Sequence, residues 1–173
     1  AGTNLVTYSE DFTDAAWTKT NTATLAVDAT GPDGTTSAVT LVDSGATGTG
    51  VVGLTDQITV VAGATTGSFY AKADGLNWVW VRASNFDVDS HAYFDLVNGV
   101  VGTITGADSA TIEDVGNGWF RCSLTFTTTT DVSGQHNIYV ADSNGDITVD
   151  LDGTSSVLVY GAQFEESSVP SSY

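Results

Sequence analysis

The chain has 173 residues, 41% of them hydrophobic, and it carries 21 acidic residues against four basic ones, a formal net charge of −17. Such a surface repels nucleic acid and anionic membranes, because both are held through Lys and Arg. No run approaches the ~20 apolar residues of a membrane-spanning helix.

The length suits one domain with one core, spanning 1–173. The opening Ala1-Gly2-Thr3-Asn4 lacks the basic flank and apolar run of a signal peptide. With no Met in the chain, it reads as one module of a longer protein. A single cysteine, Cys122, rules out an internal disulfide. It stands in an alternating apolar run, which marks a buried, inert thiol rather than a nucleophile.

Taken in chain order, the one helical candidate is a single turn near 11–17. Short alternating runs then predict strands near 22–29, 36–43, 50–61, 67–74, 77–86, 91–97, 109–115, 118–127, 135–141 and 155–165. Turn signals separate them: Pro32-Asp33-Gly34, Asp74-Gly75, Asn98-Gly99, Asn117-Gly118, Asn144-Gly145 and Asp152-Gly153. Asn98-Gly99, between two alternating runs, is the strongest hairpin signal. Helix formers are scarce and no internal repeat is visible. The pattern is that of an all-β antiparallel sandwich of the jelly-roll kind.

Side chains alternate between the two faces of a strand. In Trp78-Val79-Trp80-Val81-Arg82-Ala83, the residues Val79, Val81 and Ala83 suit a core, which leaves Trp78, Trp80 and Arg82 on the other face. In the next run Ala92, Phe94 and Leu96 point inward, and His91, Tyr93 and Asp95 point outward. In 119–126, Phe120, Cys122, Leu124 and Phe126 point inward, leaving Trp119 and Arg121 outside. In 135–140, His136, Ile138 and Val140 are buried, leaving Gln135, Asn137 and Tyr139 outside. The outward residues other than Trp119 are expected to form one polar-aromatic patch.

That chemistry fits a sugar. A pyranose stacks its apolar C–H face on flat rings, which offer area at low entropy cost. Its hydroxyls pair with Arg, Asp, Asn and Gln. Catalytic signatures are lacking: there is no Gly-x-Ser-x-Gly, P-loop or nucleotide fingerprint. Two His and one Cys make zinc improbable. Asp142-Ser-Asn144-Gly-Asp146, with Asp150 and Asp152 beyond, lacks the Gly and closing Glu of a calcium loop and reads as an acidic turn.

Several segments resemble a domain of bacteriophage tail- and head-fibre proteins. They are Asn4-Leu5-Val6-Thr7-Tyr8-Ser9-Glu10-Asp11-Phe12 with Trp17, Pro32-Asp33-Gly34-Thr35 and Tyr70-Ala71-Lys72-Ala73. Phe94-Asp95-Leu96 with Gly99, Gly116–Cys122, and Tyr160–Glu166 ahead of Pro170 complete the set. The Gly-Asn-Gly-Trp-Phe-Arg stretch around Trp119 resembles a recurring structural motif of that family, which implies a structural role for Trp119. In layout that domain is similar to xylan- and glucan-binding jelly-roll carbohydrate-binding modules. The resemblance implies polysaccharide binding at the virion surface or outside the cell. It also implies a structural Ca²⁺, held by oxygen ligands from both chain ends, for which Glu10, Asp11, Asp33 and Gln163 are the candidates. Gln163 stands where such modules tend to carry a carboxylate.

The expectation is therefore a non-catalytic carbohydrate-binding module. Two rivals are a structural fibre or virion domain, whose aromatic face meets another subunit, and a polysaccharide lyase. Tyr93, His91, Arg82, Arg121 and Gln135 are the residue types a jelly-roll lyase uses. Lyases act on uronates, however, and a chain of this charge attracts uronates poorly.

Overall fold

The computed structural model describes residues 3–173, which form fourteen strands and no helix. In chain order these are β1 (Thr18–Thr20), β2 (Val27–Thr30), β3 (Thr36–Val42), β4 (Thr49–Gly50), β5 (Gly53–Val60), β6 (Gly63–Ala73) and β7 (Trp78–Ser84). They continue as β8 (Ser90–Asp95), β9 (Val100–Thr105), β10 (Ser109–Gly116), β11 (Trp119–Thr128), β12 (Val132–Ala141), β13 (Val149–Asp150) and β14 (Ser156–Glu165).

Two six-stranded antiparallel sheets pack face to face. The front sheet runs β1-β5-β12-β7-β8-β9 and the back sheet β10-β11-β6-β14-β3-β2; β4 and β13 form a short separate pair. The chain passes between the two sheets at β1→β2, β5→β6, β6→β7, β9→β10 and β11→β12, and by way of β4 and β13 at β3→β5 and β12→β14, so several sheet neighbours are distant in sequence. Gln57, for example, lies opposite Gln135. This is the antiparallel jelly-roll sandwich that the alternation predicts.

Nine of the ten predicted runs contain the expected strand; the run 22–29 is a strand only from Val27. Thr22 instead makes an isolated bridge to Asp43, and Leu25 drops into the core. Strands β1, β9 and β13 go unpredicted: β1 and β13 are only three and two residues long, and β9 is a largely exposed edge strand. Four of its six residues are exposed, so no buried face writes an alternation into its sequence. The turn expected as helical at 11–17 is instead two successive turns, with Asp14 N–H donating to Asp11 O and Trp17 N–H to Asp14 O, each at 3.2 Å. The Asp11 and Asp14 carboxylates bond the N–H groups of Thr13 and Ala16, giving the backbone a local alternative to a helix.

The core lies between the sheets. Val79, Val81, Phe94, Ile138 and Val140 meet Phe69, Leu124, Phe126, Val159 and Phe164, all at most 1% exposed. Each such side chain is worth about 1.5–3 kcal/mol of burial. Phe12 and Trp17, with ring centroids 5.0 Å apart, close one end. Cys122 is buried as expected, and burial pushes its thiol well above its ordinary range. His136 is fully enclosed between Trp17 and Phe164, and neither ring nitrogen has a hydrogen-bond partner.

Candidate functional site

The outer face of the front sheet is the candidate. Register places Trp78, Trp80 and Arg82 of β7 opposite Asp95, Tyr93 and His91 of β8. On the other side they face Ala141, Tyr139 and Asn137 of β12. The parity expected for these three strands holds, since Val79, Val81, Ala83, Ala92, Phe94, Ile138 and Val140 are all core residues. Trp80, Tyr93 and Ala141, with Trp78 and Tyr139 against them, form a second apolar cluster separate from that core.

The rings stack on one another. Trp80 lies parallel to Tyr93, with centroids 5.3 Å apart and planes 9° apart, and Tyr139 leans on it from the other side at 4.6 Å and 34°. His91 meets Trp80 and Tyr93 edge-on. Trp80 and Tyr93 are therefore buried, at 4% and 3% exposure, while Trp78, Tyr139 and His91 remain half-buried. This corrects the expectation of two open indole platforms. The face of Trp80 is taken by its neighbours, and its indole N–H has no partner in the protein. Burial raises the pKa of Tyr93, helped by Asp146, and burial likewise raises that of Tyr139.

A glycine sets the position of Tyr139. Gly53 is its cross-strand partner on β5, and a Cβ at Gly53 would lie 2.3 Å from the Tyr139 ring and 2.4 Å from the Ile138 carbonyl oxygen. The ring lies over the bare backbone, so β5 must offer no side chain there. At the other end, Asn144 of the 142–148 loop bonds Thr103 through both its amide oxygen and nitrogen, which ties that loop to β9 beside Trp78.

The polar groups are largely committed. Arg82 forms a two-pronged ion pair with Asp89: Nε donates to Oδ1 at 3.0 Å and Nη2 to Oδ2 at 2.5 Å. The pair holds the Asp89 carboxyl below its usual range and raises Arg82. Burial lowers the pKa of His91, against the pull of Asp89. Asn137 is buried and clamps three strands, donating to Arg82 O and Ser84 Oγ at 3.0 Å each and accepting from Thr55 Oγ1 at 2.7 Å. Asp95 turns into its own hairpin and accepts from Val97 N–H, Asn98 N–H and the Asn98 amide. Gln135, half-buried, accepts from Ser84 Oγ.

The structure does not bring Arg121 to this face. Its strand, β11, pairs with β6 and β10 in the back sheet. Arg121 does point outward, but from the opposite side of the sandwich. There Nη2 donates to Gln163 Oε1 at 2.5 Å and to Ser171 O at 2.6 Å, with the guanidinium over the Tyr70 ring. Parity assigns a face but not a sheet, which is why the sequence grouped it with Trp80. Trp119 shares this outer face and is 1% exposed, packed with Ala38 and Tyr160, in keeping with its structural reading.

The four metal candidates each have hydrogen-bond partners within the protein. Gln163 serves Arg121, and the register shift between Tyr160 and Gln163, with Gly161 at φ 58°, turns it to the back sheet's outer face. Glu10 accepts from the Tyr160 and Tyr173 hydroxyls. Burial and the Glu10 charge push Tyr160 up to about 12. Asp11 bonds Thr13, and Asp33 bonds Thr35 and Ser37 within its own turn. Among the described residues, no three His, Cys, Asp or Glu side chains are grouped to hold a metal ion.

Sequence reasoning missed Asp89 and Gly53. Once Arg82 and His91 are paired, Asp89 follows from parity, two residues back on the same face. The exchange of Gly53 for a ring has no local signal. Two concavities lie elsewhere, one between loops 45–49 and 150–152 and one lined by Thr13, Lys19 and 22–25.

No protein-family model matches this sequence, and no curated protein matches it. Among solved structures, the chain is similar to a carbohydrate-binding module, TmCBM61, in complex with β-1,4-galactotriose. The TM-score is 0.59 at 8% identity, covering 95% of this chain and 99% of that one. It is also similar to the enzymatically active domain of bacteriophage CBA120 tailspike protein 4, with a TM-score of 0.50 at 15% identity. That match covers 94% of this chain but 21% of the tailspike chain. At these identities the likeness establishes a shared jelly-roll sandwich fold.

Proposed function

We propose that this chain is a non-catalytic carbohydrate-binding module whose site is the outer face of the front sheet, displayed at a virion surface or outside the cell. One observation carries this reading: an apolar ring cluster is built on the side of a sheet that the core does not need. Half-buried Trp78 and Tyr139 offer ring area, and Arg82, His91 and Gln135 rim it with hydrogen-bonding groups. Large half-open aromatics beside polar groups match the amphipathic surface of a sugar ring. The same fold carries a galactotriose in TmCBM61, which supports the class of ligand.

The lyase reading keeps Tyr93, His91, Arg82 and Gln135 on the front sheet but not Arg121, whose strand lies in the back sheet. Near the rings, Asp89 is occupied by Arg82, and His91 sits against aromatic edges.

Affinity-gel electrophoresis over uncharged and uronate polysaccharides tests the proposal. Retardation is expected on at least one gel, reduced in Tyr139→Ala, with no new reducing ends and no unsaturated product. If no gel retards the protein and it sediments as a stable oligomer, the ring face is a subunit contact and the proposal fails.

A further inference from the structure

We propose, resting on that carbohydrate reading, that Asp89 restricts the front face to uncharged sugars by occupying and neutralising Arg82, the one Lys or Arg on that face. The chain's four basic residues can each be placed. Lys19 donates to the backbone oxygens of Thr13 and Asp14, away from the rings. Lys72 sits opposite Trp119 in the back sheet. Arg121 lies in the back sheet with Gln163. Only Arg82 stands among the front-face aromatics, between His91 and Asn137 in register.

The fork that recognises a carboxylate is the one Asp89 fills. A guanidinium binds a carboxylate best through two parallel N–H donors, and here Nε and Nη2 are both engaged. The pair is reachable rather than buried, with side chains 39% and 51% exposed. A uronate or sulfated sugar would have to displace Asp89 and leave it ionised alongside the ligand. Asp146, close enough to act on Tyr93, adds a second negative charge. The remaining Arg82 N–H groups can still donate to a neutral hydroxyl, which needs no net charge. Asp89 is thus a specificity-determining residue, and among the described residues its side chain has no hydrogen-bond partner other than Arg82.

The experiment compares wild type, Asp89→Asn and Asp89→Asn/Arg82→Gln on gels containing an uncharged galactan or xylan and on polygalacturonate. Wild type is expected to be retarded by an uncharged gel and not by polygalacturonate. In Asp89→Asn the ratio of uronate to neutral retardation should rise by roughly fivefold at low ionic strength, and fall back as salt screens the freed guanidinium. The double variant should lose that gain, which assigns it to Arg82. Equal wild-type retardation on both gels, or an unchanged ratio in Asp89→Asn, overturns the selectivity while the carbohydrate reading stands. No retardation of any of the three proteins on any gel overturns both.

Discussion

Trp80 and Tyr93 face each other across β7 and β8 with their rings 9° from parallel, on the side of the sheet away from the core. Offset parallel rings attract by about 0.5–1.5 kcal/mol beyond the area they bury. The pair therefore works as a small core of its own, and only its flanks, Tyr139 and Trp78, reach solvent. Stability and ligand contact are divided among neighbouring rings, and substitutions should separate them.

Trp80→Ala should destabilise the fold by about 2–4 kcal/mol, since it empties the middle of the stack and strips both neighbours of a partner. Tyr139→Ala should cost under about 1 kcal/mol of stability, yet weaken sugar retention by about 1–3 kcal/mol if the ring stacks on ligand. Urea unfolding and affinity gels on both variants provide the comparison. Equal stability losses would contradict the division.

Gly53→Ala should cost at least about 2 kcal/mol, because the new Cβ meets the Ile138 carbonyl, a backbone atom with no room to yield, as well as the Tyr139 ring. Displaced from its seat, Tyr139 should lose its near-ultraviolet circular-dichroism signal. A melting temperature equal to wild type would show that β5 can move away from β12.

Acid should weaken the fold through His136. Burial holds its pKa down to about 4, against 6.5 in an unfolded chain. Between those values the unfolded state binds a proton that the folded state refuses, so stability falls as pH drops from about 6.5 towards 4 and is flat above. The full loss is about 3 kcal/mol at 1.36 kcal/mol per unit. His136→Phe removes the titration and should flatten the curve, measured as urea midpoints from pH 4.5 to 7.5. Asp56, opposite His136 in register, has its pKa raised by burial and acts in the reverse direction. It is common to both proteins, so the difference isolates the imidazole.

Asp43→Ala should cost about 2–4 kcal/mol. This carboxylate is 1% exposed and accepts from three backbone N–H groups, those of Gly45, Gly153 and Ser155, at 2.7–2.9 Å. It fastens the loop after β3 to the segment leading into β14. Without it those amides must find water, and cleavage by a protease at 44–48 or 151–154 should accelerate. Unchanged proteolysis and midpoint would mean that the loops hold each other without the acid.

Much of this was legible in the sequence, because alternation is a local signal. Val79, Val81, Phe94 and Ile138 declared the inner face, and the outward set on β7, β8 and β12 followed by subtraction. What alternation cannot express is which strands become neighbours. Arg121 was read onto the right kind of face but belongs to the back sheet, because β11 pairs with β6, some fifty residues earlier in the chain. Nor does alternation report what lies on top of an outward residue. Trp80 is outward and buried at once, because Tyr93 and Tyr139 close over it, and Trp119 likewise beneath its back-sheet neighbours. Strand β9 interrupts its own alternation with Gly102 and leaves four of its six residues exposed, so it shows no clear pattern.

The unequal exposure of the four tryptophans gives the protein an intrinsic optical reporter. Trp17 and Trp119 are 1% exposed and Trp80 is 4%, while Trp78 alone is half-buried. A collisional quencher such as acrylamide should therefore extinguish a minority, red-shifted fraction of the emission and leave the rest untouched. Any molecule that settles over the β7–β9 end of the front sheet would shield that one indole. Occupancy of the face can thus be followed by light, on the unlabelled wild-type chain.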